Sequence, residues 1–176
     1  MPINTPIETD RLLLRPLSVT DADSYYEIET NAEIKEFVGG ISRNTCQDVR
    51  DRIIKLSGGN FDPLAVVEKN SNKYIGRCGF IMNKFVGEVE IHIVLKKEMW
   101  GKGLGTEIAE ALLSLGFNSL GFRRIIGVVH PDNSQSKHVL KKLGMTYCND
   151  ISSDDYTNGF QVYSGETTAG CYHLMT

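Results

Sequence analysis

The stretch Glu88-Val-Glu-Ile-His-Ile-Val-Leu95, followed by Trp100-Gly-Lys-Gly-Leu-Gly-Thr-Glu107, decides the fold. In the first part, an apolar residue stands at every second position, from Val89 to Leu95, and this period of two predicts a strand over 88–95. In the second part, three glycines at every second position lead into an apolar helical periodicity, which predicts a helix over 104–118. The chain therefore passes from a strand to a helix through a glycine-rich turn.

The glycines at 101, 103 and 105 let the backbone approach a ligand closely, with φ values that other residues resist. Unpaired amides at the start of the helix, with the positive end of its dipole behind them, favour a phosphate or diphosphate. A dinucleotide fingerprint does not fit, because the sixth positions counted from Gly101 and Gly103 are Thr106 and Ile108. A P-loop does not fit either, because Gly103 stands where Ser or Thr is required. The alternative is a glycine turn that only caps the helix.

Outward from this stretch, further periodicities complete the order β, α, α, β, β, β, α, β, α, β, β. Upstream elements are predicted over 7–16, 22–30, 45–57, 64–68 and 74–82, and Gly58-Gly59 is expected to end the second helix. Downstream elements are predicted over 124–130, 134–143, 145–148 and 160–174. This order predicts an α/β (α+β) fold with a mixed sheet. Because no linker or repeat divides the chain, one domain is expected over residues 1–176.

Composition restricts the class of protein. A chain of 176 residues with 41% hydrophobic and 23% charged residues is typical of a globular domain with its own core. The net charge of −3 argues against nucleic-acid binding, which usually requires a basic surplus. No signal peptide and no long apolar run are visible, so we expect a cytoplasmic protein without a membrane partner. The four cysteines lie far apart and fit reduced thiols, and no zinc-binding spacing occurs.

Two further pieces accompany the turn in matching order and spacing. Glu8-Thr-Asp-Arg11-Leu-Leu-Leu-Arg15-Pro lies near the start, and Asn133-Ser-Gln-Ser136 leads to Lys142-Leu-Gly144-Met145. Together with Trp100-x-x-Gly103-x-Gly105, they resemble the GNAT superfamily of acetyl-coenzyme A-dependent N-acetyltransferases, whose signature is Gln/Arg-x-x-Gly-x-Gly/Ala. Trp in the first place is similar to the RimJ/RimL-like branch, which acetylates ribosomal-protein amino termini. The resemblance covers nearly the whole chain and implies a single-domain fold with a mostly antiparallel, twisted sheet flanked by helices.

The resemblance also implies a site for acetyl-coenzyme A and implies no metal. Amides from the turn would hold the diphosphate, and Lys102 would neutralise phosphate charge or stay solvated. The strand backbone over 93–95 would pair with the pantetheine arm, and one of its amides would meet the oxyanion. Asn133 and Ser136 would contact the cofactor near its thiol, although Asn133 also suits a helix cap. The residues assigned to the cofactor are Ile93, Val94, Leu95, Trp100, Gly101, Lys102, Gly103, Leu104, Gly105, Thr106, Asn133 and Ser136.

Glu90 is the candidate general base, acting directly or through water. It lies near the middle of the strand that should border the thioester, and it matches a Glu common in the RimJ/RimL-like branch. The alternative is a solvated or ion-paired strand carboxylate. Glu88 shares the face but lies nearer the hairpin. His92 also shares it, and a histidine satisfied by hydrogen bonds is the simpler interpretation there.

Many GNAT enzymes place a Tyr general acid where this chain has Leu140, so the acid role is not assigned to that position. The thiol of coenzyme A should resemble a free cysteine thiol, with a pKa of about 8.5, and can leave as a thiolate. Tyr147 is close in sequence, but core packing is the simpler interpretation of that side chain.

The resulting hypothesis is an N-acetyltransferase that acts on a primary amine by direct attack in a ternary complex. The acceptor is a protein amino terminus or a small molecule, and the protein is a monomer or a homodimer. One alternative is a non-catalytic acyl-coenzyme A sensor, which Leu140 favours. The other is a nucleotide-binding or dinucleotide-binding protein that uses the same glycine turn.

Overall fold

The computed structural model describes residues 5–38, 45–56, 61–153 and 156–166. Eight of its strands form one sheet in the order β1-β2-β3-β4-β5-β6-β8-β7. The elements are β1 Ile7–Glu8, β2 Leu12–Pro16, α1 Ala22–Thr30, α2 Ala32–Lys35, α3 Cys46–Lys55, β3 Leu64–Glu68, β4 Lys73–Asn83, β5 Glu88–Leu95, α4 Leu104–Ser114, β6 Arg124–Val129, α5 Ser134–Lys142, β7 Thr146–Ser153 and β8 Tyr156–Glu166.

The predicted mixed α/β fold is confirmed. Strands β1 to β4 pair antiparallel in sequence order, and β8 pairs antiparallel with β6 and β7. Strands β5 and β6 pair parallel, with Glu90 opposite Ile126, and α4 connects them. A parallel pair requires such a crossover, which is the strand-helix-strand unit that the sequence predicts.

The chain divides into two compact units. One contains the residues up to Gly79 together with Ile93–Trp100, and the other contains Phe80–His92 together with the residues from Gly101 onward. Strands β4 and β5 therefore each contribute residues to both units. One domain over residues 1–176 stays a prediction.

In the first unit, α1 and α3 pack against each other through buried apolar side chains. The cluster consists of Ala22, Tyr25, Val49 and Ile53. Thr45 begins α3 with a capping box, in which its hydroxyl accepts the backbone N–H of Asp48 and the Asp48 carboxylate accepts the N–H of Thr45. The predicted end of this helix at Gly58-Gly59 lies outside the described residues.

The prediction of one strand over 7–16 is wrong. Strands β1 and β2 form an antiparallel pair there, because the chain turns between them. Thr9 closes the turn: its backbone N–H donates to the carbonyl of Leu12 at 3.0 Å, and its hydroxyl accepts the N–H of Leu12 at 3.1 Å. Alternation continues through such a turn, so periodicity alone does not reveal it.

In the second unit, α4 buries one face made of Leu104, Ile108, Ala109, Leu112 and Leu113. The predicted helix over 104–118 ends earlier, at Ser114, and continues as a wider π-helical turn over Leu115–Ser119. Strand β8 is described as far as Glu166, so the predicted residues 167–174 lie outside the described part of the chain. Among the described residues, no helix combines the length and the apolar character that crossing a membrane requires.

Candidate active site

The glycine turn ahead of α4 adopts a backbone conformation that explains two of its glycines. Gly101 and Gly103 have φ angles of +72° and +76°, in the left-handed region that favours glycine. Gly103 is the N-cap of α4 and provides no side-chain cap. The amides of the first helical turn are therefore not covered by a capping side chain at this position.

Gly105 needs a different explanation, because it lies in the first turn of α4 and has no positive φ. A β-carbon built at Gly105 or at Gly101 would meet no atom within 4 Å apart from the adjacent backbone. Neither backbone conformation nor packing therefore requires glycine at position 105. The open space beside amides at the positive end of a helix fits a diphosphate, which supports the assignment of Gly101–Thr106 to acetyl-coenzyme A.

Trp100, the first residue of the signature, is bonded within its own unit. Its indole N–H donates to the carbonyl of Leu95 at 3.0 Å. Its ring forms an edge-type contact with Phe37, with 6.1 Å between the ring centroids, and packs against the cluster of Ile28, Ile34 and Val94. These contacts fix the Trp100 side chain against the end of β5. A direct contact between Trp100 and the cofactor stays a prediction.

The segment 93–95 of β5 lies closely against the backbone of β4. A β-carbon at Gly76 would lie 2.4 Å from the carbonyl oxygen of Val94, so only glycine fits there. Val94 and Leu95 are buried, and Lys96 donates its N–H to the carbonyl of Ile75 at 2.9 Å. Pairing of this segment with a pantetheine arm stays a prediction.

Asn133 is the N-cap of α5. Its Oδ1 accepts the backbone N–H of Ser136 at 3.0 Å, which confirms the capping interpretation. His130 orders the preceding turn, because its Nδ1 accepts the N–H of Asp132 at 3.2 Å. Contacts of Asn133 and Ser136 with the cofactor stay predictions, as does a role for the exposed Lys102 at the turn.

Glu90 is buried and is not the solvated carboxylate of the alternative interpretation. Its side chain is 4% exposed, and its Oε2 accepts a hydrogen bond from Nδ2 of Asn83 at 2.7 Å. Burial disfavours the ionised form and raises the pKa of Glu90 to about 7, against the opposing effect of the Asn83 bond. A carboxyl that is half ionised near neutral pH can accept a proton there.

Sequence reasoning missed Asn83, the hydrogen-bond partner of Glu90. It ends β4, and it is followed by the four-residue connection 84–87 to β5. Asn ahead of such a connection, with Gly87 at φ +73°, is typical of a turn, and this was the available signal. Only the register of the two strands brings its amide to Glu90.

Leu140 is a core residue, 7% exposed, and it packs against Gly127 of β6. The core interpretation of Tyr147 is wrong, because this side chain is 52% exposed and its hydroxyl donates to Asp150 at 3.1 Å. Within the described ranges, no three His, Cys, Asp or Glu side chains come together as a possible metal site.

A family profile for the acetyltransferase (GNAT) domain matches residues 11–146. The chain belongs to the GNAT acetyltransferase family. The N-acetyltransferase p20 of Bacillus licheniformis is 30% identical over 140 residues, which cover 77% of this chain and 79% of that protein. Spermidine N(1)-acetyltransferase of Escherichia coli K12 is 24% identical over 147 residues, covering 83% of this chain and 78% of that protein.

Among solved structures, the ribosomal-protein-S5-alanine acetyltransferase of Vibrio fischeri has the same fold as this GNAT chain. Its TM-score is 0.79 at 18% identity, over 96% of this chain and 100% of that one. The protein is therefore an acyltransferase of the N-acetyltransferase class, as its family and its relatives show.

Proposed function

We propose that this GNAT enzyme transfers the acetyl group of acetyl-coenzyme A to a primary amine by direct attack in a ternary complex, with Glu90 as the general base. The observation that carries the proposal is the buried Glu90 carboxyl, whose pKa of about 7 matches the operating pH of a base. A surface carboxylate with an ordinary pKa would be a much weaker proton acceptor.

The acceptor amine must lose a proton before or during its attack. An α-amine with a pKa of about 8 is roughly one-tenth neutral at pH 7. A lysine-type amine with a pKa of about 10.4 is neutral in about one molecule in a few thousand. Removing the proton costs about 1 kcal/mol in the first case and about 5 kcal/mol in the second. Glu90 takes this proton, directly or through one water, and a more basic amine depends on it more strongly.

The donor is held at the glycine turn. Amides of Gly101–Thr106 hold the diphosphate, and the open space at Gly105 gives it room. No side chain at position 140 acts as an acid, because Leu140 is apolar and buried. The leaving group departs as a thiolate, which its pKa of about 8.5 permits near neutral pH.

The names of two similar proteins support two classes of acceptor. The Escherichia coli relative acetylates spermidine and the Vibrio fischeri structure is a ribosomal-protein-S5-alanine acetyltransferase, according to their names. The first name specifies a polyamine, and the second specifies an alanine of a ribosomal protein. The candidate acceptors are therefore a protein amino terminus and a polyamine.

The test is a thiol-release assay with acetyl-coenzyme A and a panel containing spermidine and peptides that begin with Ala, after calorimetry has measured donor binding. Glu90→Gln should bind the donor normally and lose about 100-fold or more of kcat/KM. Glu88→Gln, on the same strand and face, is the matched control and should retain activity. Unchanged turnover in Glu90→Gln would remove the base from the mechanism, and no turnover with any amine would refute the function itself.

A further inference from the structure

The side-chain amide of Asn83 is held in one orientation. Its Oδ1 accepts two backbone N–H groups of the following connection, from Phe85 at 3.0 Å and Val86 at 3.1 Å. Backbone amides only donate, so the oxygen must face them and the NH2 group must face the other way. The amide therefore has no alternative flipped state that keeps these bonds.

That orientation points the NH2 group at Glu90. The contact of 2.7 Å joins Nδ2 of Asn83 to Oε2 of Glu90, and both side chains are buried, at 3% and 4% exposure. An NH2 group can only donate, and a donated hydrogen bond favours the ionised carboxylate over the acid. The bond engages Oε2, so Oε1 is the oxygen that can receive a proton.

We propose that Asn83 is a positioning residue for Glu90: by donating one fixed hydrogen bond, it orients the buried carboxylate and stabilises its ionised form. The inference rests on the proposed role of Glu90 as the base. Burial raises the pKa of Glu90, and the Asn83 bond opposes that rise. Without the bond, a larger fraction of the carboxyl would be protonated at neutral pH, and less of it could accept a proton from the amine.

Other charges on the surrounding elements do not replace this bond. Arg124 of β6 is directed to acidic partners, with 4.0 Å between its Nη1 and Oε1 of Glu88 and 3.7 Å between its Nε and Oε1 of Glu166. The remaining ionisable side chains on the strand, on the connection and on the crossover helix are His92, Lys84, Glu107 and Glu110. The causes that set the pKa of Glu90 are burial and the hydrogen bond from Asn83.

The decisive experiment is a ¹³C NMR titration of Glu90 in protein labelled at glutamate side-chain carboxyl carbons, with the signal assigned by its loss in Glu90→Gln. Asn83→Asp keeps an oxygen for the two backbone amides but replaces the donor with an oxygen facing Glu90. Its Glu90 midpoint should rise by about one pH unit or more. Asn83→Ala, which removes the side-chain donor without adding charge, should raise the midpoint as well and serves as the second variant.

The matched control is Gly87→Ala. Gly87 closes the same connection, with its N–H donating to the carbonyl of Asn83 at 2.8 Å and a φ of +73°, so alanine strains the turn without touching the side-chain bond. This variant should lose stability and keep the wild-type Glu90 midpoint. A merely structural role of Asn83 predicts the same midpoint in all folded variants, and that result would overturn the inference.

A kinetic measurement separates this inference from the proposed function. In Asn83→Asp, a rise of one unit in the midpoint lowers the ionised fraction at pH 7 from about one-half to about one-eleventh, so kcat/KM should fall about five-fold at pH 7 and recover at higher pH. A Glu90 midpoint that moves while Glu90→Gln retains full activity would support the role of Asn83 and refute Glu90 as the base.

Discussion

Leu140 lies directly across Gly127: a β-carbon at position 127 would sit 2.8 Å from Cδ2 of Leu140. Because Gly127 has no side chain, the leucine of helix α5 can pack directly on the backbone of strand β6. Position 140, where many GNAT enzymes have a tyrosine general acid, is therefore part of the core in this chain.

Gly127→Ala should therefore destabilise the protein by about 1–3 kcal/mol, the usual cost of overpacking a close contact. Chemical denaturation measures the change in the free energy of unfolding. Gly165→Ala on β8 is the matched control, because its β-carbon would meet Cγ of Met145 at 3.4 Å, an ordinary contact distance. Equal costs at the two glycines would contradict the close approach of Leu140.

Gly105→Val should weaken acetyl-coenzyme A binding without harming the fold. The β-carbon of the new side chain meets no atom within 4 Å apart from the adjacent backbone, and position 105 has no positive φ, so the side chain extends into the space beside the helix amides. Calorimetry should show at least about a 10-fold loss of affinity, which corresponds to about 1.4 kcal/mol. Ser114→Val, at the exposed far end of the same helix, should bind the donor like the wild type. Undiminished binding by a folded Gly105→Val protein would contradict the diphosphate site.

Local patterns predicted the features that depend on local sequence. Glycine spacing predicted the turn at 101–105, and alternation predicted β5 with the bounds that the structure has. The choice of Glu90 depended on its place in that strand and on the resemblance. Its burial was not predicted, because two glutamates and a histidine on one face suggest a solvated face rather than a covered one.

The parts that were missed depend on pairing between distant residues. Asn83 acquires its role only when the β4–β5 register places it at Glu90. The turn at Thr9 interrupts a strand without interrupting the alternation. The π-helical turn after Ser114 contains Gly116, where a β-carbon would lie 2.6 Å from Cδ1 of Ile125, so the small residue at this position is required by packing against β6.

Glu90→Gln should stabilise the protein at pH 8 while it removes activity. The folded-state pKa of about 7 lies above the unfolded value of 4.5, so the fold favours the protonated acid. The stability associated with this group is fully present below pH 4.5 and is lost as the pH rises through 7. Glutamine stays neutral and can accept the Asn83 bond, so the gain at pH 8 should reach at most about 3 kcal/mol.

Urea unfolding of both proteins at pH 5 and pH 8 measures this effect. The difference between variant and wild type should grow with pH, and comparing the differences at the two values cancels the titration of all other groups. A difference that is the same at both values would show that Glu90 has an ordinary pKa in the folded protein.

The two glutamates Glu27 and Glu29 of α1 form ion pairs that differ strongly in burial. Glu29 meets Arg77 at 2.6 Å with side-chain exposures of 10% and 8%, whereas Glu27 meets Lys96 at 2.5 Å and is 67% exposed. Arg77 also lies 4.8 Å over the ring of Tyr25, which fixes its guanidinium inside the first unit.

Glu29→Gln should cost about 3–5 kcal/mol, because it leaves the Arg77 charge buried without its carboxylate. Glu27→Gln is the matched control on the same helix and should cost less than about 1 kcal/mol, because water screens an exposed pair. Urea midpoints of the two variants compare the costs directly. Similar small losses in both variants would contradict this prediction and would mean that water reaches Arg77 in solution. In that case, an Arg77→Met, Glu29→Met double variant should be no more stable than Glu29→Gln alone.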